Sequence, residues 1–169
     1  MINLIVAFDE DFSIGKNNSI PWKFSRDLIN FKNYTINNIC IMGRKTWESL
    51  PEKFRPLPDR INIIVSTEYF KDPSKVYSNG VIRKNTHCAS SLEHSISICK
   101  SFPEKDIFFI GGSKIYQEAL DSKIVERMII THVKGKYDGD TKFPQVNLND
   151  WKSKKLFTAD EFEIVQYDK

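Results

Sequence analysis

The run Ile107-Phe108-Phe109-Ile110-Gly111-Gly112-Ser113-Lys114-Ile115-Tyr116 sets four consecutive apolar residues against two glycines and the start of a helical pattern. Apolar residues without alternation read as a strand covered on both faces, and parallel sheets are the ones so covered. The two glycines let the backbone turn sharply and approach a neighbour or a ligand closely. The same grammar recurs in Ile39-Cys40-Ile41-Met42-Gly43, which runs into Arg44-Lys45-Thr46. Working outward, residues 2–8, 39–42, 61–65 and 107–110 read as buried strands. Residues 25–35, 46–50, 91–101 and 113–120 read as helices. Residues 126–133 and 162–167 read as late strands, divided by the turn signal Asp138-Gly139-Asp140, and are expected to pair antiparallel at one side of the sheet. The expectation is an α/β fold over residues 1–169. It is one three-layer domain with a mostly parallel central sheet and an antiparallel C-terminal edge strand.

Composition narrows the function classes. Of 169 residues, 40% are hydrophobic and 28% charged, the mix of an ordinary globular domain. A net charge of +3 is too weak to argue for a nucleic-acid surface, and leaves a small anionic ligand possible. Cys40, Cys88 and Cys99 form no C-x-x-C pair, which fits a reduced, cytoplasmic compartment. His87, His94 and His132 make no H-E-x-x-H pattern, so no metal is expected. No apolar run is long enough to span a membrane, and the N-terminus lacks the basic lead of a signal peptide. A monomer without nucleic-acid or membrane partners is expected.

One carboxylate stands on the wrong face of its helix. Ser25 is a candidate N-cap, and Phe24 with Ile29 a candidate hydrophobic staple. At 100° per residue, Tyr34, Phe31, Phe24, Thr35 and Leu28 fall within roughly −20° to +100° of Asp27. Arg26, Asn30, Lys32 and Asn33 lie elsewhere on the wheel. The plain reading is a first-turn acid favoured by the helix dipole. The sharper reading is a carboxylate in an apolar pocket, its pKa raised by burial, gripping a hydrogen-bond-donating ligand.

Both glycine-ended strands call for an anion. Arg44 and Lys45 at a helix start oppose its dipole, and a phosphate would offset them. A glycine at a strand end is also ordinary turn chemistry. Two such ends in one parallel sheet, with Ser66-Thr67 ending a third strand, point to a ligand at the carboxyl edge. Neither end carries the G-x-G-x-x-G or G-x-x-x-x-G-K-[ST] fingerprint. Arg44, Lys45, Ser66 and Thr67, with no acid among them, suit the extra phosphate of a phosphorylated dinucleotide such as NADPH.

Taken together, the motifs resemble the dihydrofolate reductase family. They are Ile14-Gly15-Lys16-Asn17-Asn18-Ser19-Ile20-Pro21-Trp22, Ser25-Arg26-Asp27-Leu28-x-x-Phe31, and Met42-Gly43-Arg44-Lys45-Thr46-Trp47-Glu48-Ser49-Leu50-Pro51. Arg55-Pro56-Leu57-Pro58-Asp59-Arg60-Ile61-Asn62, Ile110-Gly111-Gly112-Ser113-Lys114-Ile115-Tyr116 and Asp140-Thr141-Lys142-Phe143-Pro144 follow in family order. The 51–57 segment is nearer the eukaryotic length than the usual bacterial one.

The resemblance implies an NADPH-dependent reduction of 7,8-dihydrofolate to tetrahydrofolate, serving one-carbon metabolism. It implies a catalytic group of Asp27, Thr131 and Trp22. Asp27 would bind the pterin amino group and adjacent ring nitrogen, and Thr131 would support the carboxylate. Ile5, Val6, Leu28, Phe31, Leu50, Leu57 and Ile110 would line the substrate pocket. Arg60 would pair the α-carboxylate of the folate glutamate. Ala7, Ile14, Gly15, Ile20, Gly43, Arg44, Lys45, Thr46, Ser66, Thr67, Ile110, Gly111, Gly112, Ser113, Lys114, Ile115 and Tyr116 would form the NADPH site. A cis Gly111–Gly112 bond is implied too, and residues 9–24 would be a mobile loop over the nicotinamide. Lys45, Lys114 and Ser113 depart from the common pattern, and bear on cofactor affinity more than on chemistry. Two alternatives stand beside this reading. One is another NADPH reductase on the same scaffold, such as a riboflavin-pathway pyrimidine reductase. The other is a non-catalytic nucleotide-binding module.

Overall fold

The structure is a computed structural model that describes residues 1–77, 79–80 and 83–169. Strands β1 (Ile2–Phe8), β2 (Ser13–Gly15), β3 (Ile39–Gly43), β4 (Ile61–Val65), β5 (Thr86–Ala89) and β6 (Ile107–Phe109) come first along the chain. Strands β7 (Arg127–Val133), β8 (Thr141–Lys142), β9 (Lys152–Thr158) and β10 (Phe162–Asp168) complete the set. The helices are α1 (Ser25–Thr35), α2 (Arg44–Ser49), α3 (Thr67–Lys71), α4 (Leu92–Cys99) and α5 (Ser113–Asp121).

Eight strands form one sheet in the order β5-β4-β3-β6-β1-β7-β10-β9. All neighbours from β5 to β7 are parallel, and β10 and β9 add antiparallel. The expected late pairing is therefore present, with one more strand outside it. β9 was not legible as a strand, because Lys152, Ser153, Lys154 and Lys155 are all exposed and carry no alternation. Its lysines also blunt the free edge against pairing with another chain.

The pleat sends alternate side chains to opposite faces. Leu4, Val6, Phe8, Ile39, Ile41, Ile63, Phe109, Met128 and Ile130 meet α4 and α5 in the larger core. On the other face, Ile5, Phe108, Ile129 and Val133 gather Trp22 and part of α1. Cys40, Met42 and Ile64 gather Trp47, Leu57 and Tyr69 from α2, α3 and the segment before β4. Helix α1 thus lies over the second face, with Asp27 on its sheet-facing side.

Two local expectations are corrected. Phe24, not Ser25, is the N-cap of α1, in extended backbone and without a side-chain cap. Its ring stacks on Phe162 at 4.9 Å. Ile29 stays exposed, so no staple to Phe24 forms.

Candidate active site

The central feature is a hydrogen bond between elements far apart in the chain. Thr131 Oγ1 on β7 donates to Asp27 Oδ1 on α1 at 2.5 Å. Thr131 is only 3% exposed and lies beside Ala7 of β1 in the ladder. Burial pushes the Asp27 carboxyl above the usual carboxylate range, and the Thr131 hydrogen bond partly opposes that rise. Around it stand Ile5, Ala7, Phe31 and Ile110, in one apolar cluster with Trp22. The Trp22 indole N–H is buried and has no partner among the described residues. Its ring meets Tyr137 edge-on at 5.2 Å. A buried donor of this kind is free to serve a bound molecule or an ordered water.

Arg60 sits at the other end of α1. It is 7% exposed, and donates from Nε to the Pro58 carbonyl at 2.8 Å and from Nη1 to Thr35 Oγ1 at 3.1 Å. Its guanidinium carbon lies 6.0 Å from the centre of the Phe31 ring. Among the described residues no carboxylate is within ion-pair distance of it. A desolvated guanidinium with donors to spare suits a ligand carboxylate.

At the carboxyl edge the glycine ends come together. β3 lies between β4 and β6, with Gly43 opposite Val65, so Ser66 and Gly111 follow at the carboxyl ends of the two flanking strands. The Gly43 N–H donates to the Gly111 carbonyl at 2.8 Å. The Gly111–Gly112 bond is cis, as the resemblance implied, and Gly111 has φ +117°. A Cβ on Gly112 would stand 3.5 Å from Thr46 Oγ1. Gly112 starts α5 with no side-chain cap, so first-turn N–H groups lack a side-chain acceptor. Ser66 caps α3 by accepting from the Tyr69 N–H, which leaves its own hydroxyl hydrogen to give. Uncapped amides, hydroxyls and the cations Arg44 and Lys45 form a donor set that fits a phosphorylated dinucleotide.

Acids do stand among these groups: Arg44 Nη1 is 3.2 Å from Glu48 Oε1 and 3.8 Å from Glu68 Oε2. Of the two cations at the start of α2, Arg44 is thus partly offset within the chain itself.

Residues 9–17 are tied to the 137–142 segment. Asp9 is buried and accepts backbone N–H groups from Asp11, Ser13 and Tyr137 at 2.9, 2.8 and 2.8 Å. β2 pairs with β8, and Asp140 accepts the Asn17 N–H at 2.9 Å. Gly139 lies so close to β2 that a Cβ there would be 2.5 Å from Ser13 Cβ and 2.7 Å from the Gly15 carbonyl oxygen.

Comparison with known proteins matches the chain to a family. The Dihydrofolate reductase family model matches residues 1–168. The chain belongs to the dihydrofolate reductase family. It is 38% identical to the dihydrofolate reductase of Schistosoma mansoni over 167 residues, covering 94% of this chain and 85% of that one. It is 36% identical to that of Staphylococcus haemolyticus, covering 99% and 90%. It is 34% identical to that of Sus scrofa, covering 89% and 83%. As a dihydrofolate reductase the chain is an oxidoreductase that reduces dihydrofolate to tetrahydrofolate.

Within this dihydrofolate reductase, the residues singled out from sequence divide into several groups. Asp27, Thr131, Trp22, Ile5, Phe31 and Ile110 are brought to one face, with Leu50 and Leu57 in the adjoining cluster. Val6 is not brought there, because strand alternation turns its side chain into the opposite core. Leu28 is 58% exposed and packs into neither cluster. Ile14 packs toward the larger core and Ile20 is 56% exposed. Ile115 and Tyr116 are buried, and the Tyr116 hydroxyl donates to the Ile5 carbonyl at 2.9 Å. Lys114 is 86% exposed and pairs with Glu118. The sequence reading gives no role to Asp9, Glu48 or Glu68, and reads Gly139 only as part of a turn. Each acts on a residue distant in the chain or on a helix too short to show a period.

Proposed function

We propose that NADPH is the reductant, and that Asp27 is the group that grips the pterin and governs its protonation. The observation that carries this is the Asp27–Thr131 pair, beside an apolar cluster that includes Ile110 of the glycine-ended strand. Bound NADPH supplies the hydride that reaches carbon 6 of the pterin. Gly43, Thr46, Gly111, Gly112 and Ser113 hold the dinucleotide backbone, and Arg44, Lys45, Ser66 and Thr67 hold its 2′-phosphate. Asp27 accepts hydrogen bonds from the pterin amino group and ring nitrogen. Thr131 orients the carboxylate through its own donated bond. Nitrogen 5 takes its proton from water, and Asp27 favours that step through the ring. Trp22 offers its unpaired N–H to the same water. Phe31, Leu28, Leu50 and Leu57 exclude bulk solvent from the substrate, which strengthens each polar contact inside. Arg60 pairs the glutamate α-carboxylate.

The experiment is an absorbance assay of NADPH consumption with and without dihydrofolate, with methotrexate as competitor. Consumption that needs dihydrofolate and stops with methotrexate supports the assignment. Consumption indifferent to dihydrofolate refutes it.

The same reading treats residues 1–169 as one domain working as a cytoplasmic monomer. The three free thiols suit a reducing compartment, and the lysines of β9 disfavour edge pairing. No helix among the described residues is long and apolar enough to cross a membrane.

A further inference from the structure

Arg44 stands beside the proposed 2′-phosphate position, and its charge is shared. Glu48, one turn along α2, lies 3.2 Å from it and also accepts the Tyr69 hydroxyl at 2.8 Å. Burial, and then the bond and charge of Glu48, push that hydroxyl up to about 12, so Tyr69 remains a donor and Glu48 is braced. Glu68 is held differently. It follows Ser66 and Thr67 directly, in the first turn of α3. Its Oε2 lies 3.8 Å from Arg44 Nη1, and its Oε1 3.3 Å from Lys75 Nζ. Among the described residues no buried partner fixes it, and its side chain is 47% exposed.

We infer that Glu68 is a specificity-determining residue at the cofactor's adenosine 2′ position, narrowing the discrimination between a 2′-phosphate and a 2′-hydroxyl. This rests on the proposal that Arg44, Ser66 and Thr67 hold that phosphate. The carboxylate already occupies the positive field of Arg44. An incoming phosphate must displace Glu68 or bear its repulsion, whereas a hydroxyl meets no such opposition. The chain thus holds its own competitor for the phosphate. Lys75 on the outer side of Glu68 offers the displaced carboxylate a second partner, which keeps the competition mild. Exposed ion pairs of this kind change an equilibrium by a factor of about two to five, and salt weakens them.

The test measures Kd for NADPH and for NADH by calorimetry, at low and high salt, on the intact chain, Glu68→Gln and Arg44→Ala. Arg44 and Glu68 are both partly exposed, so neither change opens the core. Glu68→Gln is expected to tighten NADPH about two- to five-fold and leave NADH unchanged, the gain shrinking at high salt. Arg44→Ala is expected to weaken NADPH and spare NADH. If Arg44→Ala weakens NADPH while Glu68→Gln leaves it untouched, the role of Glu68 is overturned and the phosphate site stands. Equal tightening of both cofactors by Glu68→Gln also overturns that role, since it reports net charge alone. If Arg44→Ala leaves NADPH binding intact, the phosphate site is misplaced and the inference falls with it.

Discussion

Replacing Asp27 by asparagine should move activity and stability in opposite directions. Asparagine has the same shape, and its carbonyl oxygen can still accept the Thr131 hydroxyl, so α1 and the groove keep their geometry. The charge is lost, and an amide donor stands where an acceptor stood. Hydrogen bonds to a charged group are worth about 1.5–3 kcal/mol each. At about 1.36 kcal/mol per tenfold, losing the two bonds proposed between Asp27 and the pterin should slow kcat/KM at pH 7 by at least ~10²-fold. Stability should change the other way. Burial holds the Asp27 pKa above its unfolded value. Between the ordinary carboxylate pKa and that raised one, the folded chain binds more protons than the unfolded chain. Stability therefore falls as pH rises through that window, and above it the full penalty of a desolvated charge remains. Asp27→Asn has no such penalty, so without ligand it should melt higher than wild type at pH 7, the difference vanishing at low pH. Initial rates and thermal unfolding across pH measure both. Near-normal turnover in the variant refutes the role of Asp27, and a lower melting temperature at pH 7 refutes the desolvation argument.

Arg60→Leu should weaken dihydrofolate binding by about 2–5 kcal/mol and leave NADPH binding nearly intact, as a buried charge partner is removed from one ligand only; direct titration with each ligand checks it, and equal losses count against it. Asp9→Ala leaves three backbone N–H groups without their acceptor and should reduce stability by about 2 kcal/mol or more in denaturant unfolding. Burial raises the Asp9 carboxyl, but the Tyr137, Ser13 and Asp11 N–H groups together outweigh it and hold it below the usual range. Its contribution is thus present above the unfolded pKa and lost as pH falls through the folded one, and Asp9→Ala should remove that part of the acid dependence. Gly139→Ala forces a Cβ into Ser13 and the Gly15 carbonyl, and should lower stability by about 1–3 kcal/mol and slow turnover; an unchanged melting temperature and rate would show that β2 yields freely.

Much of the scaffold was legible from local pattern. Ile2–Phe8, Ile61–Val65 and Ser25–Thr35 have the bounds that their apolar runs and helical wheel require. Thr86–Ala89 and Lys152–Thr158 did not show, for opposite reasons. The first mixes polar and apolar residues at an edge, and the second exposes both sides of its lysine-rich half. Their place is decided by backbone groups that need a neighbouring strand, which no side-chain period reveals. Helix α3 is five residues long, too short for a period. The acid of its first turn, Glu68, was missed with it.

Residue order alone determined the layered α/β scaffold, the isolated acid on an apolar helix face and the glycine-ended strands, because each is written in neighbours a few positions apart. The folded chain brings Thr131 to Asp27 across 104 positions, as the family resemblance implied, and it alone decided that Val6 turns away from Ile5 and that Glu48 and Glu68 share the charge of Arg44. Side-chain period and turn chemistry act over one or two turns of chain. Hydrogen bonds and ion pairs act over a few ångströms of space, and the order of strands in the sheet sets which residues share it.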